Sequence, residues 1–565
     1  MDINSYLLAN NLTLGKNNIW SKDRMDSFYY SDGEVEENYI LEVFKKTKDL
    51  SVESTELAQK IHDWASLYYL SSQRSLLLKP FEAQFKGKNI LEVGCGCGTI
   101  TRFLAECGAH VVALEGSSKR AEIARERCRD LDNVSVVSGT TEDLGEKASF
   151  DFILLIGVLE YAKKYLGTDG DLQLLNFCKS NLMEDGKLII AIENKLGAKY
   201  IVGAKEDHLF QAMVGVNDAY KKDGVCTYGK NELLTKINDI GLTNQQLFLP
   251  FPDYKFPSLI ISPLGIRKYQ ANLIHDLLLQ ILHKDPQLNN TLYSCSLEGF
   301  VSNSCKNFIL DDVSNSFLLI ASKNKFDYND NYIAWYYSFF RNNKYKNSIG
   351  FREDGGAYVE NIKNGEKKYL NESEYNYWNT IFQVINRKNW KIEDIHEWLQ
   401  GWFNLLVKEL NLDDVNFNDK VDFKYIDAMP FNLIQGENSY FIDFEFSDKT
   451  SVDLGYLYFR AIFHSLMRVS SFEYSDFINS KKIFDITLKL LNMKFPLVDK
   501  KKALDYIAYE VDFLNKSSVV FIDEKELLSK EITIRFIFDY KYNNVKFLFK
   551  KLINLAFTKF LKIIS

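Results

Sequence analysis

The stretch of sequence that decides the fold runs from Asn89 to Glu115 and reads NILEVGCGCGTITRFLAECGAHVVALE. Its first apolar run predicts a buried strand, which ends in a loop containing Gly94, Gly96 and Gly98. A helix and a second apolar strand follow. Glycines permit a tight turn and let a ligand approach backbone N–H groups where a helix begins. The stretch therefore predicts a ligand-binding loop in an α/β sheet.

The alternation of strands and helices continues along the chain. Three more apolar runs, VSVVSG, FDFILLIGVLEY and KLIIAIEN, are separated by helical or turn-forming segments. Apolar strands that alternate with helices are typical of a parallel sheet covered on both faces. The predicted fold class is α/β, a Rossmann-like doubly wound and mostly parallel sheet, followed by an α+β second domain.

Turn-rich sequence and composition divide the chain into five predicted segments. The segment FPDYKFPSLIISPLG is rich in turn residues, so we place a domain boundary near Gly265. The predicted segments are an N-terminal extension and helical lid (1–80), the sheet domain (81–265), a helical linker and β-rich lobe (266–395), a mainly helical C-terminal lobe (396–540) and a basic amphipathic terminal helix (541–565).

Composition limits the classes of protein that fit. The chain has 565 residues, of which 46% are hydrophobic and 26% charged, as expected of a globular protein with several domains. A net charge of −7 argues against a nucleic-acid partner. Eight cysteines without a CxxC pair predict free thiols and a cytoplasmic location. No apolar run reaches about 18 residues, so no simple membrane-spanning helix is expected.

Two acidic residues flank the glycine-rich loop. Glu92 lies two residues before the first glycine, and Glu115 ends the second strand, where a carboxylate can hold ribose hydroxyls. The spacing G-x-G-x-G differs from the G-x-G-x-x-G of dinucleotide-binding loops. The pattern favours a ligand that carries an adenosyl group.

The segment from Ile90 to Gly116 resembles motif one and the following ribose acid of class I S-adenosylmethionine (SAM) methyltransferases. The segments YSDGEVEENYI, DWASLYYLSSQRSLLLKPF, LIGVLEYA, AIENKLGAKYIVGAKEDH and LPFPDYKFP further resemble bacterial methyltransferases from O-antigen and capsule gene clusters. The resemblance spans about residues 15–265. It implies SAM as cofactor, a saccharide or lipid-linked glycan as acceptor, and glycosyltransferases of the same pathway as candidate partners.

The resemblance also implies roles for residues of the loop. Gly94, Gly96 and Gly98 are expected to line the methionine and ribose portions of SAM. Glu92 is expected near the methionine end, and Glu115 at the ribose.

Two further cofactor contacts are expected outside the loop. Arg74 is a candidate partner of the SAM carboxylate, because arginine binds carboxylates through two parallel hydrogen bonds; the alternative is a solvated charge on a helix. Where many members carry Gly-Asp-Ala after the third strand, this chain has Gly139-Thr-Thr-Glu142-Asp143. Glu142 or Asp143 is therefore the candidate for the adenine contact.

Residues at the carboxyl ends of the later strands are candidates for the acceptor site, because ligands of open α/β sheets bind there. The candidates are Glu160 and Tyr161, Glu193 and Asn194, and Asp207 and His208. His208 is the predicted general base, since its ordinary pKa is close to neutral pH. Asp207 or Glu206 is expected to orient it, and Glu160 is the next candidate base. The alternative is that His208 only binds substrate or stabilises its loop.

A second constellation lies in the C-terminal half. Asp427, Asn432 and Asp443 resemble the catalytic loop and metal-binding acid of kinase-like phosphotransferases. The resemblance implies Asp427 as the catalytic aspartate that orients the hydroxyl, with Asn432 and Asp443 holding the magnesium of Mg-ATP. Two departures are that Tyr425 stands where histidine is usual and that Asp443 is followed by Phe-Glu instead of Phe-Gly. The alternative is a degenerate or unrelated domain that binds glycan or partner enzymes.

The leading functional prediction is SAM-dependent O-methylation of a surface-polysaccharide sugar. One alternative is a bifunctional kinase/methyltransferase that terminates glycan chains, and another is a non-catalytic scaffold with a methyltransferase fold. Residues 545–564, VKFLFKKLINLAFTKFLKII, predict an amphipathic helix with a lysine-rich stripe. This helix either lies on the anionic surface of the inner membrane or packs on its own domain.

Overall fold

A computed structural model describes residues 3–22, 31, 33–145, 150–289, 291–326, 331–338, 340–371, 373–444, 446 and 450–535. The predicted terminal helix at 541–565 and the acid Glu445 lie outside the described residues.

The largest element of the fold is a sheet of fourteen strands. In chain order these are β1 (Thr13–Leu14), β2 (Ile19–Ser21), β3 (Asn89–Val93), β4 (His110–Glu115), β5 (Val134–Ser138), β6 (Phe150–Ile156), β7 (Leu182–Glu193), β8 (Asn244–Phe251), β9 (Leu259–Ile261), β10 (Ser316–Ser322), β11 (Tyr332–Tyr337), β12 (Ser348–Glu353), β13 (Ala357–Asn361) and β14 (Lys367–Tyr369). Their spatial order is β1-β2-β5-β4-β3-β6-β7-β10-β8-β9-β11-β12-β13-β14.

The centre of the sheet is parallel, as the sequence predicts. Neighbouring strands from β2 through β5, β4, β3 and β6 to β7 all pair in parallel. Successive side chains of a strand point to opposite faces. In β3, Leu91 and Val93 join one hydrophobic cluster, whereas Ile90 packs into a second cluster across the sheet. Both faces are therefore covered, and the predicted Rossmann-like fold is confirmed for this part of the chain.

The sheet continues beyond the boundary that the sequence places near Gly265. Strand β10 lies between β7 and β8 and is antiparallel to both. All seven of its residues, SFLLIAS, are buried. An apolar run indicates a buried strand but not which strands it pairs with, so the sequence assigned this segment to a separate β-rich lobe. The predicted domain boundary near Gly265 is therefore wrong, because strands from both sides of that residue belong to one sheet. Strand β10, which follows Gly265 in the chain, lies between β7 and β8, which precede it.

The N-terminal extension also contributes to the sheet. Strand β2 pairs in parallel with β5, and Ile19 lies opposite Val136. The predicted segment 1–80 is therefore more than a helical lid, since it forms one edge of the parallel sheet.

Helices cover the sheet and form the C-terminal region. They are α1 (Ile3–Ala9), α2 (Glu34–Lys46), α3 (Thr55–Ala58), α4 (Trp64–Leu70), α5 (Glu82–Phe85), α6 (Thr99–Glu106), α7 (Ser118–Arg127), α8 (Ala162–Leu166), α9 (Gly170–Asn181), α10 (Ala198–Ile201), α11 (Lys230–Asp239), α12 (Pro263–Lys268), α13 (His275–Leu279), α14 (Leu297–Lys306), α15 (Leu310–Val313), α16 (Phe382–Ile385), α17 (Ile392–Glu409), α18 (Leu454–Met467), α19 (Ile483–Lys494), α20 (Lys500–Ser517) and α21 (Glu524–Ser529).

The described part of the C-terminal region is mainly helical, with five short strands: β15 (Tyr375–Asn376), β16 (Lys420–Asp422), β17 (Leu433–Gln435), β18 (Tyr440–Phe441) and β19 (Ser451–Asp453). One hydrophobic cluster runs from Tyr6 in α1 to Ile532 and includes residues of β7, β10 and α18. The C-terminal region thus packs on one face of the sheet through a continuous core. Among the described residues, we find no helix with the length and apolarity needed to cross a bilayer.

Candidate active site

A cavity of about 1510 Å³ opens where β3, β4, β5 and β6 end. It is lined by the glycine-rich loop after β3, by Glu115 at the end of β4, and by the segments that follow β5 and β6. Residues 205–208 and Lys255 also line it. The carboxyl ends of several parallel strands therefore meet at one cavity, which is where open α/β sheets bind their ligands.

The backbone of the glycine-rich loop is held by Glu115. The N–H of Gly96 donates to Oε2 of Glu115 at 2.8 Å, and the N–H of Ser117 donates to Oε1 at 3.0 Å. Gly96 has a φ of +58°, and a Cβ there would lie 2.9 Å from Nη2 of Arg120. A side chain at this position would be strained and crowded. Each carboxylate oxygen of Glu115 keeps a lone pair with which it can accept a ligand hydroxyl.

Gly98 has a different place from the other two glycines. Gly94 and Gly96 line the cavity, whereas Gly98 is not among the residues that line it. Gly98 precedes α6 with a φ of +82°, and a Cβ there would lie 3.0 Å from the Cα of Ala124 in α7. This glycine permits the close approach of two helices instead of a ligand contact.

Glu92 and Arg74 also line the cavity. Oε2 of Glu92 accepts a hydrogen bond of 2.5 Å from Oγ1 of Thr101, and burial raises the pKa of Glu92 to about 8. Arg74 lies in the 3₁₀ helix Ser72–Leu77, and only 5% of it is exposed. Its Cζ lies 4.1 Å from the ring centroid of Tyr68.

Two of the three guanidinium nitrogens of Arg74 have no hydrogen-bond acceptor in the described part of the chain. These two nitrogens, Nε and Nη1, are buried. A buried polar group without a partner is costly. A ligand carboxylate would supply two acceptors in the geometry that a guanidinium prefers. The residues present therefore fit SAM, with Arg74 available for its carboxylate and Glu115 for its ribose.

Glu142 and Asp143 lie in the 3₁₀ helix Thr141–Asp143 after β5, and both line the cavity. Asp143 already accepts from the N–H of Thr140 at 2.9 Å, and its Oδ1 lies 3.5 Å from Nζ of Lys22. The side chain of Glu142 is exposed. Of the two candidates for the adenine contact, Asp143 is therefore already held by other residues, and Glu142 is the one with an exposed side chain.

Three of the acceptor-side candidates, Glu160, Glu193 and His208, meet beside the cavity, which Glu160 and His208 line. Asn194 is not part of this group, because its Nδ2 donates to the backbone carbonyls of Asp312 and Ser314. Nε2 of His208 lies 3.3 Å from Oε2 of Glu193 and 3.7 Å from Oε1 of Glu160. Nδ1 of His208 lies 2.7 Å from the hydroxyl of Tyr161. Both oxygens of Glu160 are buried and accept no hydrogen bond from any described residue. The structure therefore brings together His208, Glu160 and Glu193, three residues that the sequence placed after different elements.

The electrostatics of this group are dominated by burial and by mutual charge. Burial, then the neighbouring charge of Glu193, raises the pKa of Glu160 to about 7. Burial favours neutral His208, but Glu193 and Glu160 outweigh it and raise the pKa of the imidazole. Burial also acts against the Glu193 carboxylate, yet Lys255 and His208 hold its pKa below the ordinary value. Glu193 is therefore the fixed anion of the group, and Glu160 is the carboxyl poised near neutral pH.

Asp207 does not orient His208 as the sequence predicts. Its Oδ2 lies 2.6 Å from Nζ of Lys255 and 3.8 Å from Nζ of Lys199. The residues in contact with the His208 ring are instead Glu193 and Tyr161. The other candidate, Glu206, accepts a hydrogen bond from the N–H of Gly215. Adjacency in sequence therefore gave the wrong partner, because Asp207 is drawn to two buried lysines.

Two buried lysines, Lys199 and Lys255, hold carboxylates beside the cavity, and Lys199 was not among the residues predicted from the sequence. Nζ of Lys199, a side chain with no exposed surface, lies 2.7 Å from Oδ2 of Asp253 and 3.6 Å from Oδ2 of Asp285. Nζ of Lys255 contacts Oε1 of Glu193. Lysine is rarely buried unless it is paired. The signal that was available is a lone lysine inside the otherwise apolar segment LGAKYIVGA.

In the C-terminal region, Asp427 belongs to an ion-pair network. Its Oδ1 accepts from Nη1 of Arg460 at 2.5 Å, and Nε of Arg460 also lies 3.0 Å from Oε2 of Glu510. Nδ2 of Asn432 donates to the backbone carbonyl of Asp427 at 2.8 Å. Asp443 follows β18 with a φ of +70°. Asp427 thus has a structural partner, and the magnesium–ATP site stays a prediction.

The fold and the cavity define a class of domain, and sequence comparison agrees with it. Residues 90–184 match the model of a family described as a methyltransferase domain. This segment includes the glycine-rich loop and Glu115. The chain therefore carries a methyltransferase domain of the SAM-dependent class.

Particular relatives are O-methyltransferases. The chain is 29% identical over 129 residues to a ubiquinone biosynthesis O-methyltransferase of Methylocella silvestris, covering 21% of this chain and 48% of that protein. A protein of the same name from Chelativorans sp. is 31% identical over 137 residues, covering 22% and 49%. The chain spans about half the length of these two curated relatives.

Solved structures give a more distant likeness. Phosphoethanolamine N-methyltransferase 2 of Haemonchus contortus, in complex with phosphomonomethylethanolamine and S-adenosylhomocysteine, is 17% identical. The alignment covers 45% of this chain and 52% of that chain, with a TM-score of 0.28. A likeness at this level carries no conclusion about the acceptor.

Proposed function

We propose that this protein methylates a hydroxyl group on a sugar of a bacterial surface polysaccharide, or on its lipid-linked precursor, with SAM as the methyl donor. The observation that carries the proposal is that two groups of residues line a single cavity. The first group, called the donor end, is the glycine-rich loop, Glu115 and Arg74, and the second, called the acceptor end, contains Glu160 and His208.

The donor end is built to bind and orient. When bound, SAM supplies an electrophilic methyl group. Arg74 would pair with its carboxylate, and Glu115 would accept hydrogen bonds from its ribose hydroxyls. Holding the donor in one position beside the acceptor removes much of the entropic cost of the reaction.

The acceptor end offers proton acceptors. A sugar hydroxyl is a poor nucleophile while it is protonated, so a positioned base assists O-methylation. His208 lies 11% exposed at the side chain, and Glu160 beside it is fully buried at its side chain. In the proposal, an acceptor hydroxyl that enters the cavity gives its proton to this pair, and Glu193 stabilises the imidazolium that results.

Aromatic residues around the cavity suit a glycan acceptor. Trp64, Tyr68, Tyr165 and Phe210 line it, and Trp64 is 43% and Phe210 76% exposed. Aromatic rings at a cavity mouth give flat apolar faces on which the C–H faces of a sugar can pack. The named relatives act in ubiquinone biosynthesis. However, the residues that match the methyltransferase family model, 90–184, end before Glu193, His208 and Lys255, so that match includes only Glu160 of the acceptor-side group.

The proposal is tested by methyl transfer from labelled SAM. Lipid-linked glycan from the native strain and a polyprenylated phenol are offered to the full chain in parallel. Label in the glycan is expected, as an alkali-stable methyl ether. Label in the phenol alone would redirect the proposal to a quinone-type acceptor. Absence of SAM binding in calorimetry would favour the scaffold alternative instead.

The proposal also implies partners. A lipid-linked acceptor is reached at a membrane surface, where glycosyltransferases of the same pathway work on it. Co-purification of those enzymes with the full chain, and its sedimentation with anionic vesicles, are the corresponding measurements.

A further inference from the structure

We propose that Glu160, Glu193 and His208 form a binding site for a divalent metal cation at the acceptor end of the cavity. The three side chains come from separate elements. Glu160 lies in the 3₁₀ helix Leu159–Tyr161 after β6, Glu193 ends β7, and His208 follows α10. One potential ligand atom from each lies within 4.8 Å of the others.

The spacing of these atoms suits a shared cation. Nε2 of His208 is 3.3 Å from Oε2 of Glu193 and 3.7 Å from Oε1 of Glu160. Metal–nitrogen and metal–oxygen bonds of about 2.0–2.2 Å place neighbouring ligand atoms roughly 3.0–3.5 Å apart. Small side-chain shifts are therefore enough for all three atoms to contact one ion.

An independent observation is the state of the Glu160 carboxylate. Only 1% of Glu160 is exposed, and neither of its oxygens accepts a hydrogen bond from the described part of the chain. A buried carboxylate is costly unless it is paired, hydrogen-bonded or bound to a metal. Glu160 also lines the cavity, so a ligand in the cavity would lie next to this side chain.

The neighbours of the site already orient its ligands. The hydroxyl of Tyr161 holds Nδ1 of His208 at 2.7 Å and leaves Nε2 for the ion. Nζ of Lys255 contacts Oε1 of Glu193, while Oε2 of the same carboxylate lies next to His208. Metal-binding histidines and carboxylates commonly have such outer partners, which fix the ring and the ligand oxygen.

Charge also favours a divalent ion. Metal ligands bind in their deprotonated forms, so in the metal-bound state the two glutamates would be ionised and His208 neutral. One divalent cation balances the charge of −2 that these three ligands then carry. Two oxygen ligands and one imidazole suit ions such as Mn²⁺, Co²⁺ or Zn²⁺. Three protein ligands leave coordination positions open toward the cavity.

An open position would hold the acceptor oxygen, and this last role rests on the proposed function. A cation at the hydroxyl lowers its pKa, as metal ions do for bound water. Nε2 of His208 would then be a ligand instead of the proton acceptor, and the acidified hydroxyl would lose its proton to solvent in the open cavity. Loss of turnover in a His208 variant fits both roles, so binding of the metal has to be measured directly.

The test is a Mn²⁺ titration of the chelator-treated full chain, in which electron paramagnetic resonance reports free Mn²⁺. One Mn²⁺ per chain is expected. Glu160→Gln and Glu193→Gln are each expected to weaken it by at least about 10-fold, and Tyr161→Phe by about 10-fold through the ring orientation. Glu36→Gln is the matched control, because Glu36 lines the same cavity outside the group. SAM titration calorimetry verifies that each variant is folded.

Two results would overturn the site: no Mn²⁺ bound by the wild type, or equal affinity in the Glu160, Glu193 and Glu36 variants. Methyl-transfer assays keep this inference apart from the proposed function. If protein that binds no Mn²⁺ methylates glycan at the full rate, the metal site is contradicted and the proposed function stands. The opposite result is also possible: the wild type binds Mn²⁺, the two glutamate variants do not, and no glycan is methylated. That result supports the metal site and contradicts the proposed glycan methylation.

Discussion

The hydroxyl of Tyr161 lies 2.7 Å from Nδ1 of His208, and the two rings pack edge to face with centroids 4.9 Å apart. This contact sets which imidazole nitrogen faces the cavity group, because it leaves Nε2 directed at Glu193. Tyr161 follows Glu160 directly in the chain, so one short turn after β6 supplies both a carboxylate and the residue that orients the histidine.

Replacing His208 is expected to affect turnover and not donor binding. We predict that His208→Ala lowers kcat for methyl transfer by roughly 10²-fold or more, because a positioned acid–base group contributes about that much. SAM affinity should stay near the wild-type value, since the donor end lies at the glycine-rich loop. Kinetics and calorimetry on the same preparation check this. Turnover at the wild-type rate would leave Glu160 as the next candidate base.

Arg74 is expected to contribute to SAM affinity through its carboxylate contact. Arg74→Gln should weaken binding by about 1.5–3 kcal/mol, the usual contribution of a hydrogen bond to a charged group. Arg127→Gln is the matched control, because Arg127 is also buried and has two nitrogens without partners among the described residues, but does not line the cavity. Calorimetry should show loss for Arg74 only. Equal losses would mean that both changes act through the fold.

The glycine-rich loop is expected to fail when a side chain is added. Gly96→Val should abolish measurable SAM binding, because the residue has a φ of +58° and its Cβ would meet Arg120. Gly355→Val is a control for backbone strain, since Gly355 has a φ of +68° with open space around it, away from the cavity lining. If the Gly96→Val variant still binds SAM, the glycine-rich loop is not the donor site.

The central sheet was predictable because its signal is local. Each of β3 to β7 is a short apolar run followed by turn or helix residues, and the carboxyl ends of such strands converge in any doubly wound sheet. The positions of Gly94, Glu115 and Glu160 at one cavity followed from that rule alone.

What the sequence could not supply was pairing at long range. Strand β10 comes more than 60 residues after β8 in the chain, yet it lies between β7 and β8 in the sheet. An apolar run in a sequence predicts a strand but does not indicate which strands will pair with it. The same limit applied to His208. Its partner Glu193 is 15 residues away, whereas the adjacent Asp207 turns to Lys255. Side-chain direction depends on the folded surroundings, which adjacency does not encode.

The buried lysine behind the cavity is expected to be a strong determinant of stability. Lys199→Met should lower the free energy of unfolding by about 3–5 kcal/mol, because it leaves the carboxylates of Asp253 and Asp285 buried without their cation. Lys88→Met is the control. Lys88 pairs with Asp151 at 3.0 Å on the surface, so its loss should cost less than about 1 kcal/mol. Urea unfolding at pH 7 compares them, and similar losses for both would contradict a structural role for Lys199.

Glu510 in α20 is expected to make stability depend on pH in the acid range. Its buried carboxylate accepts from Tyr456 at 2.6 Å and Arg460 at 3.0 Å, and its Oε1 lies 2.9 Å from Nε2 of His464. Burial acts against the charge, but Arg460 and His464 prevail and lower the pKa of Glu510 from 4.5 to about 2. A carboxyl with a lowered folded-state pKa stabilises the fold above its unfolded pKa.

The stabilisation that ionised Glu510 provides is therefore complete above about pH 4.5 and is lost as the pH falls toward 2. We predict that Glu510→Gln costs about 3 kcal/mol at pH 7, the equivalent of that pKa shift, and that the difference from wild type shrinks as the pH falls through this window. Asp512→Asn is the control on the same helix, since Asp512 is 58% exposed at its side chain and pairs only with Lys516 among the ion pairs of the described chain. Urea midpoints from pH 7 to pH 3 measure both. A Glu510→Gln deficit that stays constant with pH would show that packing, and not the carboxylate charge, holds α20 against α18.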